Sequence, residues 1–174
     1  MPVPRLKDNR NGRALEVLAA LRGGGGRLLA GIHFDAASER RVIPEALVLG
    51  IIERLAGLGA AVLLIGTDGR VARSLEERSG GSARHFGFTL AELKTALAGL
   101  DLFIGPDSGP LHVAAALGVS SAGLYGPNVP ARSGPVAPNF RIVELPLDCR
   151  PCNQNRDCPH AVRCLAGITP EMVM

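Results

Sequence analysis

Tryptophan is absent from this chain, tyrosine occurs once, and aromatic residues make up only 3% of it. Proteins that grip single-stranded nucleic acid stack successive bases on aromatic rings, so nucleic acid is not an expected partner. Charge of one sign is also scarce: 19 Lys and Arg against 16 Asp and Glu leave a net +3, with no long basic run. That small surplus still suits a phosphorylated ligand. Nowhere do about 18 apolar residues follow one another, so no membrane-spanning helix is expected. The opening Met1-Pro2-Val3-Pro4-Arg5 has no apolar stretch behind a charged start, so no export signal is expected either. The expected compartment is the cytoplasm. Cysteine is missing until Cys149, after which Cys152, Cys158 and Cys164 follow quickly. Such clustering is a local device and not the disulfide framework of a whole domain.

What remains is a chain of 174 residues, 47% of them apolar, enough for one well-cored domain. After a polar start up to Asn11, residues Ala14, Leu15, Leu18 and Leu21 recur at helical spacing, and four glycines at 23–26 end that helix. Apolar runs at 28–32, 61–65, 101–104 and 119–125, with a last one at 141–145, read as strands. Between them lie amphipathic stretches: one after Pro44 with Leu47, Val48, Ile51, Ile52, Leu55 and Leu58, a polar one ending near Arg78, and one opened by Thr89 and Glu92. The spacing of that last pair predicts a capping box. Strands apolar throughout, alternating with amphipathic helices, predict an α/β fold: a Rossmann-like parallel sheet with helices on both faces.

In such sheets ligands sit beyond the carboxyl ends of the strands. The loop 105–109 occupies that place between the strand at 101–104 and a short helix at 110–117. Gly109 admits a ligand oxygen close to the backbone, and Pro110 fits the first helical position. The backbone amides of Ser108, Gly109, Leu111 and His112 would face an anion, aided by the helix dipole. Ser108 adds a hydroxyl and His112 an imidazole, which is expected to gain a proton or hydrogen bond when diphosphate arrives.

The string 103–118, Phe-Ile-Gly-Pro-Asp-Ser-Gly-Pro-Leu-His-Val-Ala-Ala-Ala-Leu-Gly, followed by Leu124-Tyr125-Gly126-Pro127, resembles the C-terminal half of glycosyltransferase family 9, the lipopolysaccharide heptosyltransferases. The Cys149-Arg150-Pro151-Cys152 segment and the ending Gly167-Ile168-Thr169-Pro170-Glu171 are similar to that family as well, so the likeness runs from about residue 27 to the end. The resemblance implies the C-terminal domain of a GT-B enzyme, whose two Rossmann-like domains face each other across a cleft. The C-terminal one holds the ADP of ADP-heptose. The N-terminal one holds the acceptor and supplies the base.

Carried over, Ser108 and Gly109 would bind the diphosphate, His112 would touch a phosphate, and Asp107 would order the loop. Arg41 would take the role of a phosphate-binding basic residue, with Ile43 where the family has Trp. Phe88 matches a position that packs on the adenine. A family glutamate that contacts the nucleoside has Arg70 as its nearest match, with Asp68 close by.

The expected organisation is therefore a linker and leading helix at 1–26 and a nucleotide-sugar-binding domain at 27–174 with a Cys-rich loop at 149–164. The acceptor half lies outside this sequence. It would come from an N-terminal domain or partner chain, and with it the base, so no catalytic residue is expected here and the isolated chain should turn over little. By the same resemblance the enzyme would act in lipopolysaccharide synthesis, in the cytoplasm or peripherally at the inner face of the membrane.

Cys149 and Cys152 are spaced to present two sulfurs to one tetrahedral ion. Cys158 and Cys164, with His160 as a substitute, form a looser second pair. Relatives among the protein heptosyltransferases hold iron with four Cys, so a structural zinc or iron on Cys149, Cys152, Cys158 and Cys164 stands beside a reduced, metal-free loop. Two other functional readings remain: a non-catalytic nucleotide- or partner-binding module using the same pocket, and a metal-stapled interaction protein.

Overall fold

The computed structural model describes residues 12–23, 25–155 and 157–174; the polar start at 1–11, Gly24 and Arg156 lie outside them. Helix α1 (Gly12–Arg22) leads into strand β1 (Leu29–His33), and a short 3-10 turn (Glu39–Arg41) precedes α2 (Glu45–Gly57). Then come β2 (Ala61–Ile65), α3 (Gly69–Arg78), β3 (Ala83–His85), α4 (Leu90–Ala98), β4 (Leu102–Pro106), α5 (Gly109–Ala116) and β5 (Ser120–Tyr125). The chain ends with α6 (Pro130–Ser133), β6 (Phe140–Glu144), α7 (Arg163–Ala166) and α8 (Pro170–Val173).

All six strands pair in parallel, in the order β3-β2-β1-β4-β5-β6. This is the Rossmann strand order, with the direction of winding reversing between β1 and β4. The α/β expectation is met, with one strand more than the pattern shows. β3 spans only Ala83, Arg84 and His85 at the outer edge, with Arg84 exposed; three residues, two of them polar, carry no apolar run to detect.

Alternation along the strands divides the core in two. Val62 and Leu64 of β2 join Ala30 and Ile32 of β1 on one side of the sheet, under Leu47, Val48, Ile51, Ile52 and Leu55 of α2 and Leu75 of α3. Ala61, Leu63 and Ile65 join Leu29 and Phe103 on the other, with Leu18, Leu97 and Leu111 from α1, α4 and α5. Burying each of these large aliphatic side chains contributes about 1.5–3 kcal/mol, so both helical layers are held firmly.

The leading helix packs into this body. Ala14 and Leu18 are buried, Arg13 Nη1 lies 3.0 Å from Glu92 Oε1, and Arg22 reaches the Gly99 carbonyl at 2.8 Å and Asp101 Oδ2 at 2.9 Å. The capping box of α4 is present, with Thr89 Oγ1 accepting from the Glu92 amide and the Glu92 carboxylate accepting from the Thr89 amide.

Candidate functional site

The winding reversal leaves a crevice beyond the carboxyl ends of β1 and β4. From β1 come His33 and, two residues on, Asp35; from β4 comes the loop Asp107-Ser108 that enters α5. Gly105 lets the two strands approach: a Cβ there would stand 3.2 Å from His33 Cβ and 3.0 Å from the Phe103 ring. Gly109 is different, since a Cβ there would meet nothing within 4 Å and its φ is not positive. The fold itself does not need glycine at 109, so the bare backbone there leaves space at the mouth of the crevice.

Asp107 is the hub. The residue is 6% exposed. Its Oδ2 accepts hydrogen bonds from Asn128 Nδ2 at 2.6 Å and Ser133 Oγ at 3.0 Å. Arg41 Nη1 donates to the Asp107 carbonyl at 2.6 Å and stands 3.8 Å from Oδ2. His112 Nε2 lies 4.0 Å from Oδ1, with its side chain 46% exposed toward solvent. This arrangement draws in Asn128 and Ser133 from the Pro- and Gly-rich stretch after β5. Two buried polar atoms close to this hub, Arg41 Nε and Tyr125 Oη, have no partner. Buried orphans of this kind are rare and call for a ligand or water. Burial pushes the Tyr125 phenol far above its usual range, and the Asp107 charge adds to the shift.

Ser108 is the N-cap of α5, yet its hydroxyl makes no capping bond. It sits instead 3.0 Å from Nδ1 of His33, whose Nε2 is 2.7 Å from Asp35 Oδ1. The other Asp35 oxygen accepts from the Thr67 amide at 2.6 Å and its hydroxyl at 2.9 Å. Burial raises the Asp35 carboxyl, but the His33 hydrogen bond and the two from Thr67 outweigh it and hold the group well below the usual carboxylate range. This Ser108–His33–Asp35–Thr67 chain was not read from the sequence. The available signal was His33-Phe34-Asp35 directly after an apolar strand, at the end of the sheet where ligands bind.

The first-turn amides of α5 differ slightly from expectation. An N-terminal turn has no intrahelical acceptors for its first amides, and the Ser108 side chain leaves Gly109 and Leu111 uncapped. The His112 amide already leans on the Ser108 carbonyl at 3.4 Å.

Two other expected contacts lie apart from the hub. The Asp68 carboxylate caps α3, accepting from the amides of Arg70 and Val71. Phe88 is half-buried against Phe86, ring centres 6.3 Å apart, just ahead of α4.

The four cysteines face one cavity of about 210 Å³ shared with Arg40, Arg150 and His160. None is in a disulfide. Burial pushes the Cys164 thiol up, partly opposed by Arg150. Among the described residues no three His, Cys, Asp or Glu side chains stand close enough to hold one ion. The loop is tied to the hub nonetheless: Ser38 Oγ donates to Gln154 Oε1, Gln154 Nε2 donates to Asn128 Oδ1 at 3.1 Å, and Asn128 reaches Asp107.

Known proteins bear on this geometry. Residues 87–161 match the family model of glycosyltransferase family 9 (heptosyltransferase). Lipooligosaccharide heptosyltransferase 2 of Campylobacter jejuni is 35% identical over 88 residues, covering 49% of this chain and 27% of that protein. The structure of the E. coli ADP-heptose LPS heptosyltransferase II superposes with a TM-score of 0.75 at 21% identity, over 99% of this chain and 53% of that one. A bacterial iron-containing dodecameric glycosyltransferase from enterotoxigenic E. coli gives a TM-score of 0.64 at 19% identity, over 84% and 44%. The chain thus spans about a quarter of the curated relative and about half of each solved neighbour. Residues 87–161 are similar to glycosyltransferase family 9 (heptosyltransferase), and the chain shares the Rossmann-like α/β fold of the solved neighbours.

Proposed function

We propose that this chain is the donor-binding half of a glycosyltransferase that takes a heptose, or a related sugar, from an ADP-sugar and delivers it to a lipopolysaccharide-core or similar acceptor. The observation that carries the reading is the α5 entrance: uncapped first-turn amides, a glycine the fold does not require, and the Arg41 and His112 side chains, all gathered around Asp107 at the winding reversal. A diphosphate placed there would accept from Gly109 and Leu111 and face the positive end of the helix dipole. Arg41, whose buried Nε lacks an acceptor, would complete the site. As the sugar leaves, negative charge builds on the diphosphate, and these donors would stabilise it.

Phe88 and Asp68 are the proposed nucleoside contacts at the neighbouring edge. For Asp68 this requires its carboxylate to serve the α3 cap and the ligand together. The acceptor and its activating base would come from a separate N-terminal half, and the intact enzyme would act in the cytoplasm or on the inner membrane face. Among the described residues no helix is long and apolar enough to cross a membrane.

The test is thermal stabilisation by ADP, UDP and GDP. ADP at a hundred times its Kd should stabilise the chain by about 2.7 kcal/mol, with the other two weaker. Ser108→Ala and His112→Ala should each weaken ADP binding sharply. Equal stabilisation by all three nucleotides would remove the ADP-sugar reading, and indifference to both substitutions would remove the site.

The cysteine cavity would hold a structural zinc or iron on Cys149, Cys152, Cys158 and Cys164, which bring the thiolate donors such ions prefer. The ion would draw sulfurs that already share one cavity into a tetrahedron and stiffen the loop beneath Asn128. Anaerobically purified protein should carry about one zinc or iron per chain by elemental analysis. A substoichiometric trace would leave the reduced loop as the functional form.

A further inference from the structure

We propose that His33 is a positioning residue that couples diphosphate binding at Ser108 to uptake of a proton. The inference rests on the diphosphate reading above and adds a protonation requirement to it. The Asp35 carboxylate has one oxygen on His33 and the other on Thr67. An ionised carboxylate only accepts hydrogen bonds, so the hydrogen on the Asp35 side of the imidazole belongs to Nε2. The state of Nδ1 then decides what Ser108 can do.

If the ring is neutral, Nδ1 is an acceptor and takes the Ser108 hydroxyl hydrogen across the 3.0 Å contact. The Ser108 oxygen then turns only lone pairs toward the α5 entrance, which repels an anion. If the ring is charged, Nδ1–H donates to the same oxygen and the hydroxyl hydrogen is released to a phosphate. The heavy atoms need not move. Hydrogen bonds to an ionised group are roughly twice as strong as neutral ones, so a diphosphate selects the charged ring and draws a proton onto it.

The surroundings support this assignment. His33 is 7% exposed, so the groups packed against it decide what its ring nitrogens meet. Asp35, just past its own strand, pairs with the ring directly; the Ser108 that the ring also meets adjoins Asp107, which in turn meets Arg41 from the 3-10 turn and His112 from α5. On the β3 side stands His85, whose Nε2 lies 3.0 Å from the Gly66 carbonyl and whose amide donates to Glu76. Among the described residues, Asp35 is the group paired with the ring nitrogen opposite Ser108. A phosphate arriving at Ser108 brings negative charge to the side of the ring opposite Asp35. The proton is taken up from solvent on binding and returned on release, and no covalent bond changes. His112 can take up a proton by the same logic, so the two must be separated.

The experiment is calorimetric titration of the full chain with ADP in two buffers of different ionisation enthalpy, above pH 7, where the terminal phosphate is mostly doubly ionised (second pKa about 6). In a His112→Ala background the protein should still take up a substantial fraction of a proton per ADP. Its affinity should fall about tenfold between pH 7 and 8.5, because the proton needed for binding becomes scarcer as pH rises. Adding His33→Gln, whose amide can donate to Ser108 but cannot titrate, should abolish the uptake and flatten the pH profile while binding persists. Should that variant fail to fold, His33→Asn serves instead, since its amide likewise cannot titrate. Binding with no proton uptake, or uptake unchanged by these substitutions, would overturn the proposal while leaving the diphosphate site standing. No ADP binding by the parent chain would overturn both.

Discussion

Asp107→Ala should lower the melting temperature by roughly 10 °C and eliminate stabilisation by ADP. The size follows from what the carboxylate holds. Deleting it leaves Asn128 Nδ2 without its acceptor and Ser133 Oγ with only the Val129 carbonyl at 3.3 Å, and removes the counter-charge 3.8 Å from Arg41. An unsatisfied buried donor costs about 1–3 kcal/mol, so a total near 3 kcal/mol is expected. At about 2–4 °C per kcal/mol for a chain of this size, that is the stated shift. The functional loss has a separate origin. Arg41 donates to the Asp107 carbonyl, so loosening the loop misplaces the guanidinium and the α5 entrance together. Calorimetric melts with and without ADP read both effects. A variant that melts like the parent, or one that still gains stability from ADP, would show that Asp107 is not the hub.

Arg150→Ala should cost about 3 kcal/mol as well, through a different part of the molecule. Its guanidinium donates to the carbonyls of Gly126, Leu145 (2.8 Å) and Asn128 (3.3 Å) and to Glu144 Oε2 (2.7 Å), with the side chain 8% exposed. It therefore fastens the Cys-rich loop to the ends of β5 and β6. Without it the carbonyls lose their donors and the loop opens. Cys164, buried and with its thiol pushed up, should then react with a thiol reagent at least about tenfold faster in metal-free protein, since exposure governs such reactions. Arg150→Lys should not restore the parent rate, because one ammonium cannot reproduce the planar fork. An alanine variant with unchanged stability and unchanged Cys164 labelling would contradict this assignment.

Local signals carried the sequence reading furthest. Thr89 and Glu92 are three residues apart, so their reciprocal cap could be read directly, and Pro110 marked the first turn of α5. The apolar runs located β1, β2, β4 and β5 because each is buried throughout or nearly so; in β6 only Val143 is fully buried, and the pair Ile142-Val143 marked it. What escaped was set by distant neighbours. The partner that meets the Ser108 hydroxyl, His33, lies 75 positions away in sequence. Asp68 reads equally well as a ligand contact or a cap until its position ahead of α3 is seen. β3 is defined by pairing with β2, not by composition. That the four cysteines line one cavity depends on loop path, which spacing alone does not determine.

The order of the strands has a consequence for assembly. β1 and β2 lie early in the chain and β4 and β5 late, so the β1–β4 contact joins two halves that each pair locally first. Closing a long loop is entropically costly before its contacts form, so such non-local seams tend to form slowly. The Ser108–His33 and Arg41–Asp107 links both cross that seam. A nucleotide held there would act as a clasp, resisting separation of the two halves and making occupancy a direct report on whether the chain has finished folding.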